Sequence, residues 1–218
     1  MSSGFVRVGI FKDPASATTH FVGFAFSLLG TAWLLSGELV EGRRGAAWVY
    51  CVALTALFLA SSCYHFFDLG TRGNRVLQRL DHAAIYGLIA GTYVPVLMAT
   101  LQGATRLWML AVVVGVALVG ASFKLLGLRL PDVVDAALYV ALGWSCLLVA
   151  PSLFRQLSSA QLVPLVVGGV SFTVGAVVYA LERPDPVPGV FGHHEVWHVF
   201  VLIGATSHFV IVSDLLLR

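Results

Sequence analysis

The sequence predicts an all-α membrane protein, a bundle of seven transmembrane helices, on three observations. Of its 218 residues, 58% are hydrophobic and only 11% charged, against about 25% charged in an average soluble domain. The apolar residues fall in runs long enough to cross a hydrocarbon layer of roughly 30 Å, which takes about 20 residues of helix. The connections between runs are short, so consecutive helices are expected to be antiparallel neighbours in one bundle.

Span one is expected at about 19–39. The leading stretch MSSGFVRVGIFKDPASATTH has no compact apolar core followed by a small-residue cleavage site, so span one should serve as its own insertion signal. GELVEGRR leads to span two, about 46–67, and DLGTRGNRVLQR to span three, about 80–101. Span four follows at about 107–126, and LGLRLPD leads to span five, about 133–154. RQLSSAQ precedes span six, about 162–181, and ERPDPVPGVFGH precedes span seven, about 194–216. These spans with their short connections take up nearly all of residues 1–218, which implies a single seven-transmembrane domain with no internal repeat.

Lysine and arginine set the expected orientation. With the N-terminus cytoplasmic, inside segments hold eight of them, namely Arg7, Lys12, Arg72, Arg75, Arg79, Lys124, Arg129 and Arg183. Outside segments hold the remaining five, Arg43, Arg44, Arg106, Arg155 and Arg218. The positive-inside rule therefore favours a cytoplasmic N-terminus. The net charge is only +2 and no basic tract occurs, so nucleic acid is not an expected partner. Cys51, Cys63 and Cys146 are scattered through apolar segments and read as small buried residues rather than as disulfides or a metal site.

Ionisable groups within spans are expensive and each needs a reason. Span two ends in SSCYHFFD, with Ser61 and His65 four residues apart; span three opens with RLDHAAIYG, carrying Asp81 and His82; span seven opens with HHEVWHVF, carrying His194, Glu195 and His198. With the N-terminus inside, span two finishes where spans three and seven begin, so all three clusters fall at one depth. Residues i and i+4 share a helix face, so His194 and His198 can direct two imidazoles at one ion, with His65 as the third. Three histidines and a fourth position open to water form a catalytic-type zinc arrangement. Asp81 is the candidate to accept the water's proton, and Ser61 to hydrogen-bond the water or a substrate oxygen. Asp81 would also suit the first turn of its helix as a charge facing the dipole, and Ser61 would suit a close helix contact.

Four other histidines are expected to stay out of the ligand set. His208 lies ten residues past His198, roughly 15 Å farther along the helix, and reads as a buried histidine bonded across the bundle. His20 begins span one at the site's rim and reads as a structural contact, while His82 and His193 each face away from their neighbours in the site. The H-E-x-x-H spacing of His194 to His198 is that of many metalloproteases. The extended protease pattern needs Gly and His where this chain has Val201 and Gly204, and a protease would account for only one of the three clusters.

Taken together, DPASATTHFVGF, SSCYHFF, RLDHAAIYGLIAGTYVP and HHEVWHVFVLIGATSHF resemble, in this order, the bacterial hemolysin III family. That family is related to the adiponectin and progestin receptors and, more remotely, to alkaline ceramidases. The resemblance spans essentially the whole chain. It implies a seven-helix bundle in a bacterial plasma membrane, zinc on His65, His194 and His198, and Asp81 and Ser61 beside it. His208 also matches a recurring family position. The leading expectation is a zinc-dependent hydrolase of a lipid amide or ester, with membrane lipids as partners. A pore-forming or cytolytic protein, and a sensor or receptor of membrane state with structural zinc, are the alternatives, and the resemblance also links the chain to lipid homeostasis.

Overall fold

The computed structural model describes residues 12–217. Arg7 and Arg218, counted in the charge distribution, lie outside it, as does most of the stretch before span one. The described chain is all-helical, and seven of its helical segments are long and apolar enough to cross a membrane. They are α1 (Pro14–Ser36), α2 (Arg44–Phe66), α3 (Gly70–Thr100), α4 (Gly103–Leu125), a fifth segment broken into α5 (Asp132–Gly143) and α6 (Ala150–Gln156), α7 (Ser159–Leu181) and α8 (His193–Leu216).

Each start and stop has a local cause. Pro14 opens α1, where its missing N–H is not needed, and the Asp13 carboxylate accepts from the Ser16 amide at 3.4 Å. At α7, Ser158 and Gln161 form a reciprocal capping box. The α1–α2 connection folds back on the end of α8, where the Val40 amide donates to the Leu216 carbonyl at 2.8 Å and the Arg43 guanidinium to that of Leu215. Carbonyls left over at the end of α8 thereby find donors.

Two segments differ from the sequence expectation. α3 begins at Gly70, well before the expected start near 80, because Asp68 and Asn74 satisfy its first groups. The Leu69 amide donates to Asn74 Oδ1 at 2.9 Å, and the Gly70 amide and Asn74 Nδ2 donate to Asp68 Oδ1 at 3.2 and 2.9 Å. The fifth span is not one α-helix, since Trp144–Val149 tighten into 3₁₀ turns between α5 and α6. Backbone groups freed at such a break must be satisfied from within the protein. Tyr93 of α3 does this: its hydroxyl donates to the Gly143 carbonyl and accepts from the Cys146 amide, both at 2.7 Å.

Burial is uneven across the bundle. The central stretches of α2, α3 and α8 are 50, 56 and 44% buried, against 17–22% for the other spans. α2 packs between α1 and α3, α3 also meets α4, and α8 lies on α7 while touching α1 and α3. At the α2–α3 crossing Gly91 lets the backbones approach, since a Cβ there would strike that of Ala53. Large exposed side chains such as Phe26, Leu29, Trp33 and Val119 lie on the outer helices, as a lipid-facing surface requires. The three polar clusters thus sit on the three most enclosed helices.

Candidate metal centre

His65 lies in the last turn of α2, and His194 and His198 occupy the first two turns of α8. The start of α1 is fastened across the end of α2: the Asp13 amide donates to the His65 carbonyl at 3.1 Å, and Lys12 Nζ to that of Tyr64 at 3.0 Å. Glu195 closes the start of α8, its Oε2 accepting from the Gly192 amide at 2.7 Å and its Oε1 from the Ser16 hydroxyl at 2.5 Å. Both its oxygens are engaged in holding helices, not in facing the imidazoles.

The three imidazoles converge. His65 Nε2 and His194 Nε2 are 3.2 Å apart, and one nitrogen from each of His65, His194 and His198 lies within 4.8 Å of the others. The ring centroids are separated by 4.9 Å (His65–His194), 5.0 Å (His65–His198) and 4.6 Å (His194–His198). Nitrogens on a tetrahedral ion bound at about 2.05 Å stand about 3.3 Å apart, so small adjustments suffice to close the set.

Neighbours fix the tautomers in favour of ligation. His65 Nδ1 meets Asp13 Oδ2 at 3.2 Å. Burial opposes the charge on Asp13, yet hydrogen bonds and attraction from His65, with the Ser16 contacts, hold its carboxyl below the ordinary range. An ionised Asp13 can only accept, so Nδ1 of His65 carries the proton and Nε2 its lone pair. His198 Nδ1 meets Thr19 Oγ1 at 3.1 Å, and that hydroxyl already donates to the Ser16 carbonyl at 2.8 Å. Thr19 therefore accepts from His198, and His198 Nε2, buried with no hydrogen-bond partner, also presents a lone pair. Buried lone pairs pointed at one place, each backed by an acceptor on the far nitrogen, are what a metal site requires. The three histidines could hold a metal ion.

Asp81 and Ser61 stand beside the cluster, 5% and 1% exposed, with their side chains against each other. Asp81 and His194 line one cavity of about 230 Å³ that runs between α3, α5, α6, α7 and α8 with mainly apolar walls. Ser61 is not among the lining residues. His208 reaches the same cavity farther along α8, its Nε2 3.3 Å from the Leu165 carbonyl of α7 and its ring in the space that the missing side chain of Gly168 leaves.

Sequence reasoning underrated α1. His20, expected as a contact at the rim, is 2% exposed and stacks on His198 with centroids 3.6 Å apart, neither of its nitrogens having a partner. Asp13 and Thr19 were not singled out at all. The DP pair at the start of the first span marks a helix cap, and only the topology, which brings this cap to the end of span two, points to a second use.

The descriptive model of the family "Haemolysin-III related" matches residues 8–209. The Hemolysin-3 homolog of Bacillus subtilis (strain 168) is 30% identical over 204 residues, covering 91% of each chain. Hemolysin-3 of Bacillus cereus is 31% identical over 201 residues, covering 91% of this chain and 89% of that one. The Adiponectin receptor protein of Drosophila melanogaster is 26% identical over 200 residues, covering 82% of this chain and 43% of that one. With the family match running from before α1 to within α8, and with seven apolar helices around the histidines, the chain is an integral membrane protein that belongs to the haemolysin III family.

Proposed function

We propose that the chain is a zinc-dependent membrane hydrolase that cleaves an amide or ester of a lipid. The observation that carries this reading is the apolar cavity that has both His194 and the Asp81 carboxyl in its wall. A zinc ion on His65, His194 and His198 would supply Lewis-acid polarisation of a carbonyl and acidify a water towards neutral pH. Asp81 receives the proton of the attacking water on a carboxylate oxygen and passes it to the leaving group. Ser61 donates its one hydroxyl proton to that carboxylate from outside the cavity and so keeps it aimed at the water. The walls of α3, α6 and α7 take the acyl chain and keep bulk water from the reacting carbonyl. We read the site end as cytoplasmic and the membrane as a bacterial plasma membrane, on the eight-to-five distribution of lysine and arginine.

The test is incubation of the purified protein with a mixed lipid extract, with products followed by mass spectrometry beside zinc content. One zinc per chain and a new free fatty acid, both lost in His198→Ala, is the expected result. Zinc without any product would overturn hydrolysis and leave a sensor of membrane state tied together by the ion. A second reading draws on the printed name of the Bacillus cereus relative, Hemolysin-3. Dye release from liposomes that persists after chelation would favour that lytic role.

A further inference from the structure

The end of the bundle that carries the histidines holds a second concavity, between the start of α3, the end of α4 and the connection to α5. It is a polar pocket of about 300 Å³ whose walls include Arg75, Arg79, Lys124 and Arg129, with Asp132 and Asp135 opposite. Lys124 and Asp135 are both buried and form an ion pair with each other. That pair is neutral as a unit, so three guanidiniums face one carboxylate. Arg75 spends its Nε on the Thr71 carbonyl of its own helix, at 3.2 Å. Among the described residues, no acceptor from the chain meets Arg79 or Arg129.

The backbone is shaped around one of these charges. Gly127, at φ +77°, ends the turn after α4, and the Arg79 guanidinium fills the place where a Cβ would stand. Around the rim, Leu125, Leu126 and Leu128 are exposed, Leu126 at 74%. A guanidinium fork matches two phosphate oxygens, and it is less strongly hydrated than an ammonium, which suits a half-dry pocket. Exposed leucines beside such a pocket, at the end of apolar helices, are where acyl chains begin. Basic pockets between transmembrane helices select lipid phosphates for these reasons.

We propose that this pocket binds the phosphate of an anionic phospholipid, whose acyl chains lie along the leucines at the end of α4. The leucines favour a lipid over free phosphate, which shares the oxyanion but has nothing to place on them. None of His65, His194 and His198 lines this pocket, which meets the apolar cavity only at His82 and Asp135, and the proposal does not depend on what the three-histidine cluster does.

The test is native mass spectrometry of the full chain released from micelles containing phosphatidylglycerol and phosphatidylcholine with the same acyl chains. The wild type is expected to retain phosphatidylglycerol preferentially, and Arg79→Gln/Arg129→Gln to lose that retention by about thirtyfold at unchanged metal content. Asp132→Asn, which removes the opposing carboxylate, is expected to tighten retention and serves where the double variant does not fold. Equal retention of the two lipids, or retention unchanged in both variants, would overturn the proposal. So would displacement of the lipid by inorganic phosphate at millimolar concentration, which would make the free anion the ligand.

Discussion

His65 and His194 hold their Nε2 atoms 3.2 Å apart, although the Asp13 carboxylate fixes the His65 nitrogen as a lone pair. Two bare lone pairs repel at that distance, so a proton or a cation has to lie between them. If that cation is the metal we propose, replacing His65, His194 or His198 by Ala should lower the metal content from one ion per chain to none by elemental analysis. Chelation of the wild type should lower the thermal midpoint, since an ion that binds only the folded state stabilises it. Full metal retention in His65→Ala would mean that α2 contributes no ligand.

Asp13 and Thr19 contact the far nitrogens of His65 and His198, through which they would act on a metal held there. Asp13→Asn and Thr19→Val should weaken metal affinity by about 10–100-fold without abolishing binding. Competition against a chromophoric chelator measures this directly. Thr19→Ser, which keeps the acceptor oxygen, should restore affinity, whereas a merely structural role would make it behave like Thr19→Val.

Asp81→Asn should keep the metal and, on the hydrolase reading, reduce lipid turnover by about 10²–10⁴-fold. Zinc content and product formation measured on one preparation separate the two effects. Unchanged turnover would remove Asp81 from the chemistry.

Tyr93→Phe removes the hydroxyl that serves both sides of the break between α5 and α6. The Cys146 amide and Gly143 carbonyl then lose that partner inside the membrane, at a cost of about 1–3 kcal/mol. A lower unfolding midpoint in detergent, with the metal still bound, is the expected outcome.

Gly91→Ala should destabilise by about 1–3 kcal/mol, because the new methyl meets Ala53 across the α2–α3 crossing. Gly115→Ala, in α4 with nothing within 4 Å, should be neutral or stabilise by about 0.5–1 kcal/mol. The pair, compared by thermal unfolding, separates close packing from helix propensity.

The seven spans were legible because a bilayer demands long apolar helices and tolerates little else between short connections. His65, His194 and His198 were legible because four-residue spacing and a shared depth are both visible in a linear string. What was missed lies where that string carries no period. Asp13 and His65 are 52 residues apart, and Thr19 and His198 are 179 apart, so no local pattern records either pairing. The early start of α3 was hidden because hydropathy marks the membrane rather than the helix, and the mostly polar Thr71 to Arg79 are helical once Asp68 and Asn74 satisfy the first groups. The break in span five had a faint mark in Gly143 and Pro151, but its cause is the Tyr93 hydroxyl on another helix.

α1 is among the least buried helices, yet its cap Asp13 and the Ser16, Thr19 and His20 of its inner edge all touch α2 or α8 at or beside the histidines. Lipid solvates one apolar side chain about as well as another, so most of this helix is free to drift in sequence. The inner edge is not, because each of its side chains is fitted to a partner on a different helix. A saturation scan of α1 should therefore return a narrow line of intolerant positions along an otherwise permissive cylinder, with its density greatest in the first two turns.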